Sequence, residues 1–175
     1  MAIESFSSNT PDNTSILQST KFTFIIPDKP FLKYFCQTVN LPSVSTTEVP
    51  VATPFSSTYR HGDKLVFEAF TITALMDEDL RVWEETYAWL KGLTRPQNYG
   101  EYLKKSVRDV TTPLYYDGYL TINTNANNPN IRIKFHNCHP TTLGMINFDT
   151  KVDADNIPTC DITFRYDLFE IERLT

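Results

Sequence analysis

The first clear pattern in the chain is an alternation. In Lys21 to Ile26 the residues Phe22, Phe24 and Ile26 fall on one side and polar groups on the other, which predicts a strand. Pro27-Asp28-Lys29-Pro30 reads as a turn, and Phe31 to Asn40 as a second strand paired with the first in a hairpin. Leu41 to Tyr59 has no helical period, carries three prolines and many β-branched residues, and keeps Val44, Val49, Val51 and Phe55 as apolar anchors. It reads as an extended flap or long hairpin that must pack on something, because alone it would expose those anchors. His61-Gly62-Asp63 reads as a turn, and Lys64 to Leu75 as one strand apolar on both faces. Val66, Phe70, Ile72 and Ala74 share one face, and Leu65, Phe67, Ala69 and Leu75 the other. Such a strand is covered on both sides or lies against another subunit.

One helix stands out. Asp77 is placed to cap it, Glu78 and Asp79 put negative charge at its positive end, and Lys91, Gly92 and Pro96 mark its close. Leu80, Trp83, Tyr87 and Leu90 form the predicted apolar stripe, widened by Ala88 and Trp89, so that the helix lies on a sheet as a lid. Residues 95–113 are polar and irregular, with a short helical turn expected over 101–105. Further strands are predicted over Gly118–Thr124, Asn130–Asn137 and Thr142–Phe148, the first two joined by a turn at Asn125-Ala-Asn-Asn-Pro129. The last strand, Thr159 to Ile171, sets Cys160, Ile162, Phe164, Tyr166 and Leu168 on one face. Seven or eight strands and one helix imply a mainly β chain: two packed antiparallel sheets, as a sandwich or barrel, with one flanking α-helix and an extended loop. Residues 1–20, rich in Ser, Thr and Asn, read as a flexible arm ahead of a single β domain over 21–175.

Composition supports that outline and narrows the function. Twelve Phe and nine Tyr suit pleated, half-buried surfaces, and 175 residues can bury a core without a covalent staple. Five Gly speak against a phosphate-cradling loop, while eleven Pro fit many short segments. The formal net charge of −5 has the wrong sign for a nucleic-acid gripper, yet suits a surface past which a polyanion slides. Three widely spaced cysteines and a polar N terminus read as free thiols in a reducing compartment, and no run is long and apolar enough to span a membrane.

Candidate chemistry is sparse. His136-Asn137-Cys138-His139 lacks the repeated paired spacing of a metal site; in a regular strand His136 and Cys138 share a face and His139 leaves it. A Cys160–Asp161–His136 nucleophile is opposed by the position of Cys160 on an apolar face, where a thiol is inert. The acidic groups at 77–79 and 84–85 are explained by capping and by a solvated helix face. No catalytic residue, cofactor or metal is expected, and no enzyme. Tyr115, Tyr116 and Tyr119 keep a monomeric carbohydrate-binding module open as an alternative, and Cys138 or Cys160 a thiol enzyme.

Four pieces, in this order, carry a resemblance. They are Asn40-Leu41-Pro42 with the stretch through Pro50 and Pro54; Gly62-Asp63-Lys64 leading through Leu75 into Asp77-Glu78-Asp79 with Trp83 and Trp89; Asn128-Pro129 leading to Phe135–Thr141; and Phe148-Asp149-Thr150 followed by Asp161–Tyr166. Together they span Lys21 to Ile171, and the chain resembles the tail tube family of contractile-tailed bacteriophages. The family includes tube-initiating and tube-capping baseplate or terminator paralogues, and the type VI secretion tube proteins share its architecture. The resemblance implies a homohexameric ring whose sheets join around a channel, rings stacked into a tube, and a sheath outside. Partners would be further copies, tail sheath protein, baseplate and tail-terminator proteins, and phage DNA ejected through the lumen without sequence-specific binding. The implied location is the virion tail, assembled in the host cytoplasm. On this view Val49, Val51 and Phe55 anchor the flap on a neighbouring subunit, and Leu65, Phe67 and Ala69 cover an inter-sheet or inter-subunit face.

Overall fold

The computed structural model describes residues 14–94, 113–151 and 157–174, which hold nine strands and two helices. The expected helical turn over 101–105, the acidic positions Asp153 and Asp155 and most of the N-terminal arm lie outside them. The strands are β1 (Phe22–Ile25), β2 (Cys36–Val39), β3 (Val44–Ala52), β4 (Ser57–Phe67), β5 (Phe70–Leu75), β6 (Tyr116–Asn123), β7 (Pro129–Leu143), β8 (Thr159–Arg165) and β9 (Phe169–Arg173). The helices are α1 (Pro30–Phe35) and α2 (Arg81–Leu93).

All pairings are antiparallel, and β7 is shared by two layers. Its first half lies between β6 and β9, giving the layer β1-β6-β7-β9; its second half pairs with β8, giving β7-β8-β5-β2. The switch occurs at a bulge: Tyr116 opposes Cys138 and Gly118 opposes Phe135, so Asn137 is the extra residue and takes a left-handed φ of 55°. Gly118 lies close beside it, where a Cβ would sit 3.2 Å from Cys138 Sγ.

The core forms where the two inner faces meet. Phe70 stacks on Phe135 at 4.7 Å and Phe164 at 5.3 Å and meets the edge of Phe24, while Ile72, Ile133 and Ile162 are fully buried around them. Helix α2 closes this sandwich from the side. Trp89 inserts between Tyr116 of one layer and Phe164 of the other, and its indole N–H donates to the Leu114 carbonyl at 2.9 Å. The sandwich expected from the alternating runs is therefore present, as are β1, β6 and the turn at Asn127 (φ 65°).

Several local expectations are corrected. Phe31 to Asn40 is not a strand paired with β1. Pro30 starts a helix, Leu32 enters the core with Phe31 and Phe35 beside it, and only Cys36–Val39 is extended, paired with β5. Asp77 does not cap α2; its carbonyl closes a turn on Leu80 N–H, and Leu80 takes the cap position with φ 52°. The buried stripe is Val82, Thr86 and Trp89, not Leu80, Trp83, Tyr87 and Leu90. Both stripes satisfy the helical period, and Trp89 reaches the core between Tyr116 and Phe164 while Trp83 and Tyr87 stack on each other at the flank. Lys64 to Leu75 breaks at Glu68-Ala69, and Thr159 to Ile171 breaks at Tyr166-Asp167-Leu168. Leu168 is exposed, and only Thr142 and Leu143 of the stretch 142–148 are in a strand, as the end of β7.

Candidate functional site

The Pro-studded flap is a hairpin that stands off the sandwich. Among the described residues its strands β3 and β4 pair only with each other, from Val44↔Phe67 at the root to Ala52↔Ser57 at the tip. His61-Gly62-Asp63 is not a turn, as the sequence suggested, but lies inside β4 at a bulge opposite Thr47. Glycine is required there: a Cβ at Gly62 would fall 2.6 Å from the Thr47 carbonyl oxygen. The turn is Thr53 to Ser56, closed by Thr53 N–H donating to the Ser56 carbonyl at 2.9 Å. The nine residues of β3 reach roughly 30 Å.

Register decides which side chains share a face. Val49 and Val51 lie on one side of the outer arm with Arg60 and Thr58, and Pro50 and Tyr59 lie together on the other. All nine residues of β3 are exposed, as are Tyr59 and Leu65, and Phe55 at the tip is 100 % exposed. An isolated two-stranded hairpin is marginal in water, because neither face is covered. This one has apolar groups on both faces, so its lowest free energy is reached only against another surface.

Of the residues expected at a subunit contact, Val49, Val51, Phe55 and Leu65 are on this exposed arm. Phe67 sits at its root and Ala69 lies beyond it. Phe67 packs within the chain, edge-on to Tyr166 at 6.0 Å and Phe169 at 5.7 Å, and Ala69 sits half-buried where β4 gives way to β5. Arg165 ties that root down by donating to the Phe67 carbonyl at 3.2 Å. The sequence reading missed Tyr59 and Pro50 as partners on the second face, a pairing that only the hairpin register reveals. It also missed a second apolar surface beside α2, where Leu80 and Trp83 border the exposed Met145 and Phe148.

The cysteine and histidine positions are held apart. The bulge at Asn137 turns His136 toward Glu170 (3.5 Å), buries Cys138, and leaves His139 edge-on to Tyr115. His136 and Cys138 therefore do not share a face, as a regular strand would have placed them. Among the described residues no three His, Cys, Asp or Glu groups are close enough to hold a metal. Burial pushes the Cys138 thiol up to about 12 and Cys36 up to about 11, and raises Cys160, whose Sγ lies 3.3 Å from the Gly144 carbonyl. Tyr115, Tyr116 and Tyr119 form no common platform, since Tyr116 is buried against Trp89 and Tyr119 lies under Arg132.

The free edges complete the picture. Within each layer strand direction alternates, so β1 runs opposite to β9, and the second half of β7 opposite to β2. Among the described residues β1, β2 and β9 each pair on one side only.

No curated protein matches the chain by sequence. Solved structures match it closely in fold. The tube-terminating cap of the anti-feeding prophage is similar with a TM-score of 0.65 at 12% identity, over 97% of this chain and 99% of that one. A chain of the sheath–tube complex of the extracellular contractile injection system PVC, in its extended state, gives 0.64 at 13% identity over 92% and 94%. A chain of the sheath/tube terminator of the same system gives 0.59 at 12% over 90% and 97%. At such identities the likeness speaks for the fold alone. A family model described as phage tail tube protein matches residues 6–172. A standing hairpin with no cover, two sheets with unpaired edges and a match along nearly the entire length lead to one conclusion: this chain belongs to the phage tail tube protein family.

Proposed function

We propose that the chain is a structural subunit of a tail tube, closing with five further copies into a ring and stacking ring upon ring around a channel for DNA. The observation that carries this reading is the β3–β4 hairpin, an arm with apolar groups on both faces and nothing among the described residues to cover them. A second copy is the occupant that requires no other gene product. The unpaired edges support the same reading. A layer of four strands with alternating directions presents its first and last strands antiparallel, so rotation about a ring axis brings unlike edges of adjacent copies together in antiparallel register. Either layer meets this condition, and closure removes the edges. Stacking is a head-to-tail contact that repeats without closing, which yields a tube. The number six comes from the family resemblance.

The outer partner on this reading is a sheath, supported by the fold likeness to a chain of a sheath–tube complex. Baseplate and terminator proteins would bind at the ends, and DNA would pass without sequence-specific binding. Passage needs no chemistry from the wall, in keeping with buried thiols held in the unreactive protonated form. A capping role is a second reading, supported by the likeness to the tube-terminating cap at nearly full coverage of both chains.

The test is electron microscopy of negatively stained purified protein together with sedimentation velocity over a range of concentrations. Annuli that extend into tubes are expected for a main tube subunit, and annuli that stay single for a cap. A chain that remains monomeric at every concentration sinks both.

A further inference from the structure

We propose that the outer face of the β7-β8-β5-β2 layer, a field of threonine hydroxyls, lines the channel; this deepens the tube reading and rests on it. The two layers expose very different outer faces. On β1-β6-β7-β9 the face is laced with charge. Arg132 opposes Glu172 and Lys134 opposes Glu170 in register, Lys134 pairs with Asp117 at 3.2 Å, and Arg132 lies over Tyr119. Repeated around a ring, those alternating cations and carboxylates would meet a passing polyanion with a strongly uneven potential, attractive at some points and repulsive at others.

The other face is almost without charge. Thr38 opposes Thr73, Thr71 opposes Thr163, and Thr142 opposes Thr163 from the far side. Four of the hydroxyls are engaged with their neighbours. Thr71 and Thr163 are hydrogen-bonded at 3.2 Å, Thr73 donates to Asp161 at 2.7 Å, and Thr141 donates to the Thr163 carbonyl at 3.2 Å. The strands of this layer place one Asp and one Arg on the face, with His139 beside the Arg, and Arg165 is turned to the Phe67 carbonyl at the hairpin root. A hydrated, nearly neutral surface, several of whose hydroxyls are already engaged, offers a sliding polyanion few stopping points.

Connectivity selects the same layer. The hairpin prolongs β2 and β5, and Asn40 bridges the junction: its N–H donates to the Thr71 carbonyl at 3.3 Å, and its side-chain oxygen accepts from Thr71 N–H at 2.5 Å. The arm is therefore an extension of this layer along its strands, so on the tube reading it is this layer that the arm ties to a neighbouring copy.

The test is thiol accessibility in assembled tubes. Thr73→Cys and Thr163→Cys report on the threonine face, Arg132→Cys and Glu172→Cys on the charged face; the native cysteines are buried or half-buried. Each variant is treated as intact tubes with a small uncharged maleimide, and separately with a maleimide on a polymer too bulky to enter the bore. The threonine-face thiols should react with the small reagent and lose reaction with the bulky one, while the charged-face thiols keep at least the bulky-reagent reaction that the others lose. Two threonine positions are used so that one failure to fold leaves the other to read. Tubes in which the bulky reagent reaches the threonine face and spares the charged face overturn the assignment but not the tube. Absence of any annulus or tube from the unsubstituted protein overturns both.

Discussion

Phe55→Asp separates the fold from the assembly. Phe55 is fully exposed, and the turn that carries it is closed by Thr53 and Ser56, through the Thr53 N–H to Ser56 carbonyl bond at 2.9 Å and a Ser56 N–H to Thr53 hydroxyl bond at 3.2 Å. Its side chain contributes nothing within the chain, so thermal or urea unfolding of the monomer should shift by no more than about 0.5 kcal/mol. At a subunit contact the arithmetic differs. Burying a Phe side chain is worth about 1.5–3 kcal/mol, and Asp forfeits that gain and adds the cost of desolvating a carboxylate. A loss of at least about 2 kcal/mol per contact is roughly thirtyfold in its association constant. Sedimentation velocity and electron microscopy across a concentration series should show the onset of rings or tubes moved up by at least that factor, with Phe55→Leu close to the unsubstituted protein. Tubes from Phe55→Asp at the ordinary concentration would refute the docking of the tip, and a large drop in monomer stability would refute its independence from the core.

The core, the thiols and one carboxylate give three further tests. Trp89→Ala should cost about 4–6 kcal/mol in denaturant unfolding, from the cavity between Tyr116 and Phe164 plus the Leu114 carbonyl left without its donor, whereas Trp89→Phe should cost much less; equal losses would contradict the central position of this ring. With the Cys138 thiol near 12 and Cys36 near 11, thiolate at neutral pH is scarce, so a disulfide reagent should react slowly until the chain unfolds; one rapidly labelled cysteine would reopen the thiol-enzyme alternative. Burial alone would raise the Asp117 carboxyl, but the Asn137 N–H and the Lys134 ammonium outweigh it and hold it below its usual 3.8. A depressed folded-state value stabilises at neutral pH and is lost as pH falls through that value, so Asp117→Asn should flatten the acid limb of stability between about pH 5 and pH 2. An unchanged limb would remove Asp117 from that account.

How much of this was legible beforehand depended on how local the cause is. Alternation in Phe22–Ile26 and Cys160–Tyr166 declared inner faces directly, because the pleat sends successive side chains to opposite sides whatever the partner. The turn at Asn127 was equally plain, since its residue types tolerate the left-handed backbone it adopts. The apolar anchors of the flap were visible as a surplus with no home in the chain. Helix faces and strand partners were another matter. Two stripes on α2 fit the same period, and only the gap between Tyr116 and Phe164 chose the one with Trp89.

For this protein, then, the order of residues by itself settled the mainly β class, the existence of α2 and an arm with uncovered apolar groups. The tertiary structure alone decided that Pro30–Phe35 is a helix, that β4 and β5 are separate strands, and that β7 bends at Asn137 to serve both layers. It also separated the threonine face from the charged one, because register between strands distant in sequence sets which side chains become neighbours. Pattern reads along the chain, whereas partners are chosen by packing across it, where burial and edge pairing outweigh local preference.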